Sequence, residues 1–278
     1  LIYLDEKAFP AVLGRLEQMS CSAPAVEQER WQGVDVRGSR AATCYELQNV
    51  CFGVDLEGVE DLQHWREQIR PNLPWADDHF AERVGGEPLN PGVEWQNWPW
   101  GRSAAKFRDR EQLFNHTYPE RLWPRWARRT PGGRFTEGHP APTDEGMRGI
   151  SRRYGDLGDL VEYLVREPHT RQAWIPLFFP EDTGYGDGGR KPCTLGYQFL
   201  VRGGRIHAWY PLRSCDVAHH LRDDCYLAVR LLLWVLDRCR KLGGEFWSSV
   251  VPGTYAMHVT SLHIFENDRR VLCQTLSQ

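Results

Sequence analysis

Residues 191–224 read KPCTLGYQFLVRGGRIHAWYPLRSCDVAHHLRDD, and the order of residue types in this stretch decides the fold. Leu195 to Val201 and Arg205 to Tyr210 are two runs of strand-forming residues joined around Gly203-Gly204, a dipeptide suited to the positive φ angles of a tight hairpin turn. Antiparallel strands bring the ends of such a segment back together. Cys193 and Arg213, twenty residues apart, are therefore expected to be neighbours. An arginine beside a thiol favours the thiolate, which is the nucleophilic form.

Outward from the hairpin, the pattern is helical on both sides. Leu157, Leu160, Val161 and Leu164 fall on one helix face that Pro168 stops, and Ala173 to Phe179 reads as a strand. Gly184 to Gly189 (GYGDGG) is a glycine-rich connection. After the hairpin, Cys225 to Arg240 predicts a buried helix, capped by aspartate at Asp223-Asp224 and ended by Gly243-Gly244. Ala256 to Phe265 predicts a last strand. Between Pro24 and Gly146 the chain is rich in Trp, Pro, Arg and Gly with weak periodicity, which reads as long loops with short helices. The alternation of strand and helix patterns gives an α/β (α+β) class, and 278 residues suit one domain over 1–278, with two small domains as the alternative.

A formal charge of −3 with near-balanced acids and bases gives no long-range field for nucleic acid, whereas arginine in excess of lysine supplies local anion sites. Small anions are the expected partners. No apolar run approaches the length that spans a bilayer, and Asp5, Glu6 and Lys7 stand where a signal peptide is apolar. The expectation is a soluble, cytoplasmic protein whose eight cysteines, with no C-x-x-C pair among them, are free thiols. His219-His220 and His258 with His263 lack further ligands at a recognisable spacing, so no metal is expected.

The segment resembles the thymidylate synthase family. Pro192-Cys193, Tyr197-Gln198-Phe199 and Arg213-Ser214-Cys215-Asp216 stand in the family's order and spacing, with Asp224 where the family has a helix-opening Asn. The resemblance extends back to Trp123-Pro124-Arg125-Trp126, Arg171 and the region of Arg37, and forward to His263-Ile264-Phe265. It implies a thymidylate synthase-like fold, a mixed β-sheet packed with helices, dimerising through the sheet.

By the same resemblance Cys193 adds to carbon 6 of a pyrimidine nucleotide, and carbon 5 then attacks the methylene of 5,10-methylenetetrahydrofolate. Cys215 is the competing thiol. Arg213 and Ser214 hold the phosphate, Arg171 reaches in from the other subunit of a homodimer, and Arg37 or Arg40 closes the site. The family has two arginines at the cross-subunit position, where this chain has Arg171-Gln172. Asp216 bonds the pterin and Trp123 packs on it. His263 matches a sugar-binding histidine, while Phe265 replaces a tyrosine and leaves ribose and deoxyribose both open. Glu94 is the candidate for the glutamate that activates the base.

Asp224 decides the base. Uracil offers an acceptor at O4 and a donor at N3, which an Asn amide matches; cytosine reverses the pattern, and a carboxylate accepts from its exocyclic amine. The sequence stops about thirteen residues after Phe265, where the family continues into a tail closing over the folate. Without that closure water is expected to finish the reaction, giving hydroxymethyl in place of methyl. The expectation is a cytidylate (CMP or dCMP) 5-hydroxymethylase. Its alternatives are a dCMP or dUMP methyltransferase and a catalytically silent nucleotide-binding homologue.

Overall fold

The computed structural model describes residues 1–4, 6–31, 34–100, 108–124, 155–183 and 190–277. The GYGDGG connection, Arg125 and Trp126 lie outside the described residues. The strands are β1 (Ile2–Leu4), β2 (Ala25–Val26), β3 (Arg30–Trp31), β4 (Val34–Asp35), β5 (Cys44–Asp55), β6 (Trp174–Pro176), β7 (Gly196–Arg202), β8 (Arg205–Asp216) and β9 (Val251–Phe265). The helices are α1 (Phe9–Cys21), α2 (Leu62–Ile69), α3 (Trp75–Arg83), α4 (Tyr118–Leu122), α5 (Leu157–Arg166), α6 (Leu221–Leu242), α7 (Glu245–Ser248) and α8 (Glu266–Leu276).

The main sheet runs β1-β5-β9-β8-β7-β6, with β2 on the edge of β5. β1 with β5 and β8 with β9 are parallel, and the other pairs are antiparallel, so the sheet is mixed. The hairpin forms as expected: Gly203 and Gly204 turn at φ +56° and +72°, a conformation that residues with a Cβ resist. β8 then crosses through α6 to return as β9 beside it. α6 lies on the sheet and buries Tyr226, Val229, Leu232, Val235 and Leu236, while α2, α3 and α5 pack around it. Each such side chain contributes about 1.5–3 kcal/mol by leaving water.

α5 begins at a capping box in which Asp156 and Asp159 bond each other's backbone N–H, which fixes the start that the apolar spacing predicts. Three expectations need correction. Residues 24–146 contain β5, a twelve-residue strand at the heart of the sheet. Its inward Val50, Phe52 and Val54 alternate, but Gln48-Asn49, with Asn49 at φ +53°, interrupts the pattern that periodicity relies on. α6 starts at Leu221 with His220 as cap, so Asp223 and Asp224 sit inside the first turn and do not cap the helix.

The third correction concerns the thiols. Cys21 and Cys273 are joined by a disulfide that ties α1 to α8, so two of the eight cysteines are not free. No spacing announces this pair, because 252 residues separate its members. Arg269 reinforces the junction by donating to the Cys21 carbonyl and stacking over Tyr45. No helix among the described residues is long and apolar enough to cross a membrane.

Candidate active site

A cavity of about 760 Å³ opens where the ends of β8 and β9 meet the start of α6, α3 and the loop before β7. Cys193 lines it. Its position follows from the hairpin: Arg213 N–H donates to the Cys193 carbonyl at 2.9 Å, and Thr194 bridges to Leu212. The sulfur accepts from Ser214 Oγ at 3.4 Å and from Arg213 Nη2 at 3.7 Å. Both donors complement negative charge on sulfur. Arg213 also donates to the carbonyls of Lys191 and Pro192 at 2.8 Å each, so it straps the cysteine loop to β8.

Cys215 is no rival. It is buried, and burial together with the Asp224 charge pushes its thiol well above the ordinary range, while its Sγ–H points at Asp224 Oδ2 at 3.4 Å.

Asp224 is desolvated at the cavity floor and burial pushes its carboxyl up to about 6. Tyr210 donates to its Oδ1 at 3.2 Å. The neighbouring Asp223 is spoken for, since both its oxygens accept from Asn72, at 2.7 and 2.8 Å. Asp224 is thus the carboxyl of the pair whose fixed partners are only a hydroxyl and a thiol, donors that rotate.

Asp216 ends β8 facing the cavity, with Oδ1 accepting from the Ala218 and His219 amides and Oδ2 from His219 Nδ1 at 2.9 Å. Burial raises its carboxyl, but the His219 bond and the charges of His219 and His263 outweigh this and hold it low. His263 on β9 lines the same space beside Phe265.

Glu94 comes from the far side. It lies on a 3-10 turn (Val93–Asn97), and its Oε1 and Oε2 meet His79 Nδ1 at 2.9 Å and Trp75 Nε1 at 2.6 Å. Burial pushes the Glu94 carboxyl up, yet the hydrogen bonds from His79 and Trp75 and the Arg83 charge bring it below its ordinary value.

Four expected residues are placed elsewhere. Trp123 is 8% exposed, packs in the core, donates to the Arg83 carbonyl at 2.9 Å and is not among the cavity's lining residues. Its ring lies beside Gly158 of α5, where a Cβ would stand 3.7 Å from Cζ3. Arg37 is ion-paired with Asp35 and two-thirds exposed, and Arg40 is exposed; neither lines the cavity. Arg171 is exposed outside the cavity of its own chain, with its carbonyl accepting from Gln198.

Several residues to which the sequence assigned no role in binding are present instead. Arg30 and Arg190 line the cavity, as do Trp98 and His220, whose rings stack 5.8 Å apart. Burial takes His220 down to about 4, so it is a neutral ring. Tyr118 lies beside the cysteine loop, its hydroxyl accepting from Thr194 N–H at 3.4 Å, with Arg83 over its ring. The one local signal was the Thr117-x-x-Glu120 capping box that opens α4 at Tyr118.

In sequence the chain is similar to a "Putative thymidylate synthase" of Methanosarcina barkeri, 25% identical over 182 residues that cover 60% of this chain and 77% of the relative. No family model matches the chain. Its mixed sheet packed with helices is consistent with a thymidylate synthase-like fold.

Proposed function

We propose that this protein is a folate-dependent pyrimidine nucleotide transferase, and specifically a cytidylate 5-hydroxymethylase acting on CMP or dCMP. The observation that carries the proposal is that Cys193, gripped by Arg213 and Ser214, and Asp224, held by Tyr210 and Cys215, line one cavity.

The chemistry follows from the residues. Cys193 sulfur adds to carbon 6 of the ring, and the electron pair displaced from the 5,6 double bond makes carbon 5 nucleophilic. Asp224 reads the base. Either protonation state accepts from the exocyclic amine of cytosine, and the neutral acid, favoured by the raised carboxyl, also donates to N3. Glu94, held ionised, accepts and returns a proton through water.

When bound, 5,10-methylenetetrahydrofolate supplies the one-carbon unit at the oxidation level of formaldehyde. The residues fit a flat heteroaromatic ligand: Trp98 and His220 make a stacked wall, and Trp98 Nε1–H is buried with no partner among the described residues. This wall takes the role expected of Trp123, and Asp216 beside it offers the carboxylate. Arg213 and Ser214 serve the phosphate, with Arg30 and Arg190 in place of Arg37 and Arg40.

We read the protein as a single-domain, cytoplasmic homodimer joined through the sheet. Arg171 is exposed beside β6 for use by a partner, and Trp174 and Trp209, whose tilted rings lie 5.7 Å apart, are 37% and 40% exposed.

The test is to incubate the protein with methylenetetrahydrofolate and CMP, dCMP or dUMP and to weigh the product. A gain of CH2O on a cytidylate is expected. A gain of CH2 with appearance of dihydrofolate makes it a methyltransferase, and binding without turnover makes it a silent homologue.

A further inference from the structure

α3 presents Trp75, His79 and Glu82 at i, i+4 and i+7, one face of the helix, and all three bond the turn that carries Glu94. Trp75 and His79 take the two carboxylate oxygens. Glu82 Oε1 accepts the Glu94 backbone N–H at 2.9 Å, and Gly92 alone leaves room for that carboxylate, since a Cβ there would stand 1.6 Å from Glu82 Oε2. His79 is further fixed from behind: Arg83 Nε–H donates to His79 Nε2 at 2.9 Å. A nitrogen that accepts carries no proton, so the imidazole proton sits on Nδ1 and points at Glu94. Trp75 stacks on the ring at 4.9 Å and 13° and holds its plane.

We propose that His79, locked in its Nδ1–H tautomer by Arg83, is the positioning residue that fixes Glu94 as the proton-accepting carboxylate of the site. This rests on the reading of Glu94 given above. Burial and the Arg83 charge hold His79 neutral, so it acts as a donor and not as a second base. The groups that face the pair are Glu82 and Arg83 from α3, Tyr118 from α4, and Asp223, Asp224 and His220 around α6 across the cavity.

Two substitutions separate a positioning role from packing alone. The amide of His79→Asn can replace the Nδ1 donor, whereas that of His79→Gln replaces the Nε2 side and leaves Glu94 without its bond. In His79→Gln the acid limb of the kcat/KM profile on cytidylate moves to higher pH, with a loss of roughly tenfold at pH 6.5, and in His79→Asn it stays near wild type. The second readout needs no substrate: the carboxyl band that is present in wild type and absent in Glu94→Gln is titrated by infrared difference spectroscopy. It is expected to titrate at higher pH in His79→Gln and unchanged in His79→Asn. If the band does not move in His79→Gln, the proposal is overturned, whatever the activity. If it moves but no nucleotide is turned over by wild type, the positioning stands and the functional reading falls.

Discussion

One wall of the cavity, carrying Cys193, Arg213, Ser214 and Asp216, is built from a single hairpin and the residues at its ends, whereas the opposite wall assembles Trp75, His79 and Glu94 from a helix and a separate turn. The first wall is made by strand pairing. Register puts Arg213 against Cys193 once the Gly203-Gly204 turn is set, so residue spacing alone fixes which side chains meet. The second wall depends on α3 docking against α6 and on Glu82 capturing the turn, contacts that no local spacing encodes. Under the proposed function the nucleophile is thus placed by the sheet. The tuning groups sit on elements that tertiary packing brings in.

Breaking the hairpin wall has the largest expected effect. Cys193→Ala removes the nucleophile and should lower kcat on the order of 10³-fold or more while nucleotide binding, followed by calorimetry, persists. Next comes the floor shared by both walls. Asp224→Asn should lower kcat/KM for cytidylate by about 10²-fold and raise it for uridylate, read as a ratio in competition assays. The same variant has a stability signature. The wild-type carboxyl titrates near 6 when folded against 3.8 as the ordinary value, so stability present below about pH 4 is lost as pH rises through 6. The thermal midpoint of Asp224→Asn relative to wild type should therefore climb between those values and level off above them.

The assembled wall breaks more gently. Gly92→Ala forces Glu82 off the Glu94 amide and should reduce kcat roughly 10-fold by misplacing the carboxylate, with cytidylate affinity retained. A control lies away from both walls. Alkylation without reductant should leave Cys21 and Cys273 unlabelled, and Cys21→Ser should cost about 2–4 kcal/mol in denaturant unfolding with turnover nearly unchanged.

The same contrast explains what was legible in the sequence. The hairpin, α5, α6 and β9 follow from periodicity and turn chemistry, and Cys193, Arg213, Ser214, Asp216, Asp224 and His263 all reach the cavity. Glu94 reaches it too, although its partners His79 and Arg83 went unread. They sit on a short helix whose Trp75, His79 and Glu82 face is polar where it meets the turn, so hydrophobic spacing does not reveal it. Trp123 lies outside the cavity lining, because a tryptophan's burial is decided by tertiary packing that spacing does not encode. Arg37 and Arg40 also lie outside the lining, since exposed arginines near a site differ from ligands only in where the backbone takes them. The disulfide was illegible for the same reason, being a contact between the two ends of the described chain.

The claim on which everything else depends is that the Cys193 sulfur bonds to the ring. A 5-fluorocytidylate offers the most direct measurement, because fluorine at carbon 5 blocks loss of the proton that would otherwise leave there and so preserves the covalent adduct. With methylenetetrahydrofolate present, intact-protein mass should rise by nucleotide plus folate, and peptide mapping should place the modification on Cys193 and find none in Cys193→Ser. An adduct on Cys215 or on no cysteine, with the nucleotide bound, would contradict the account.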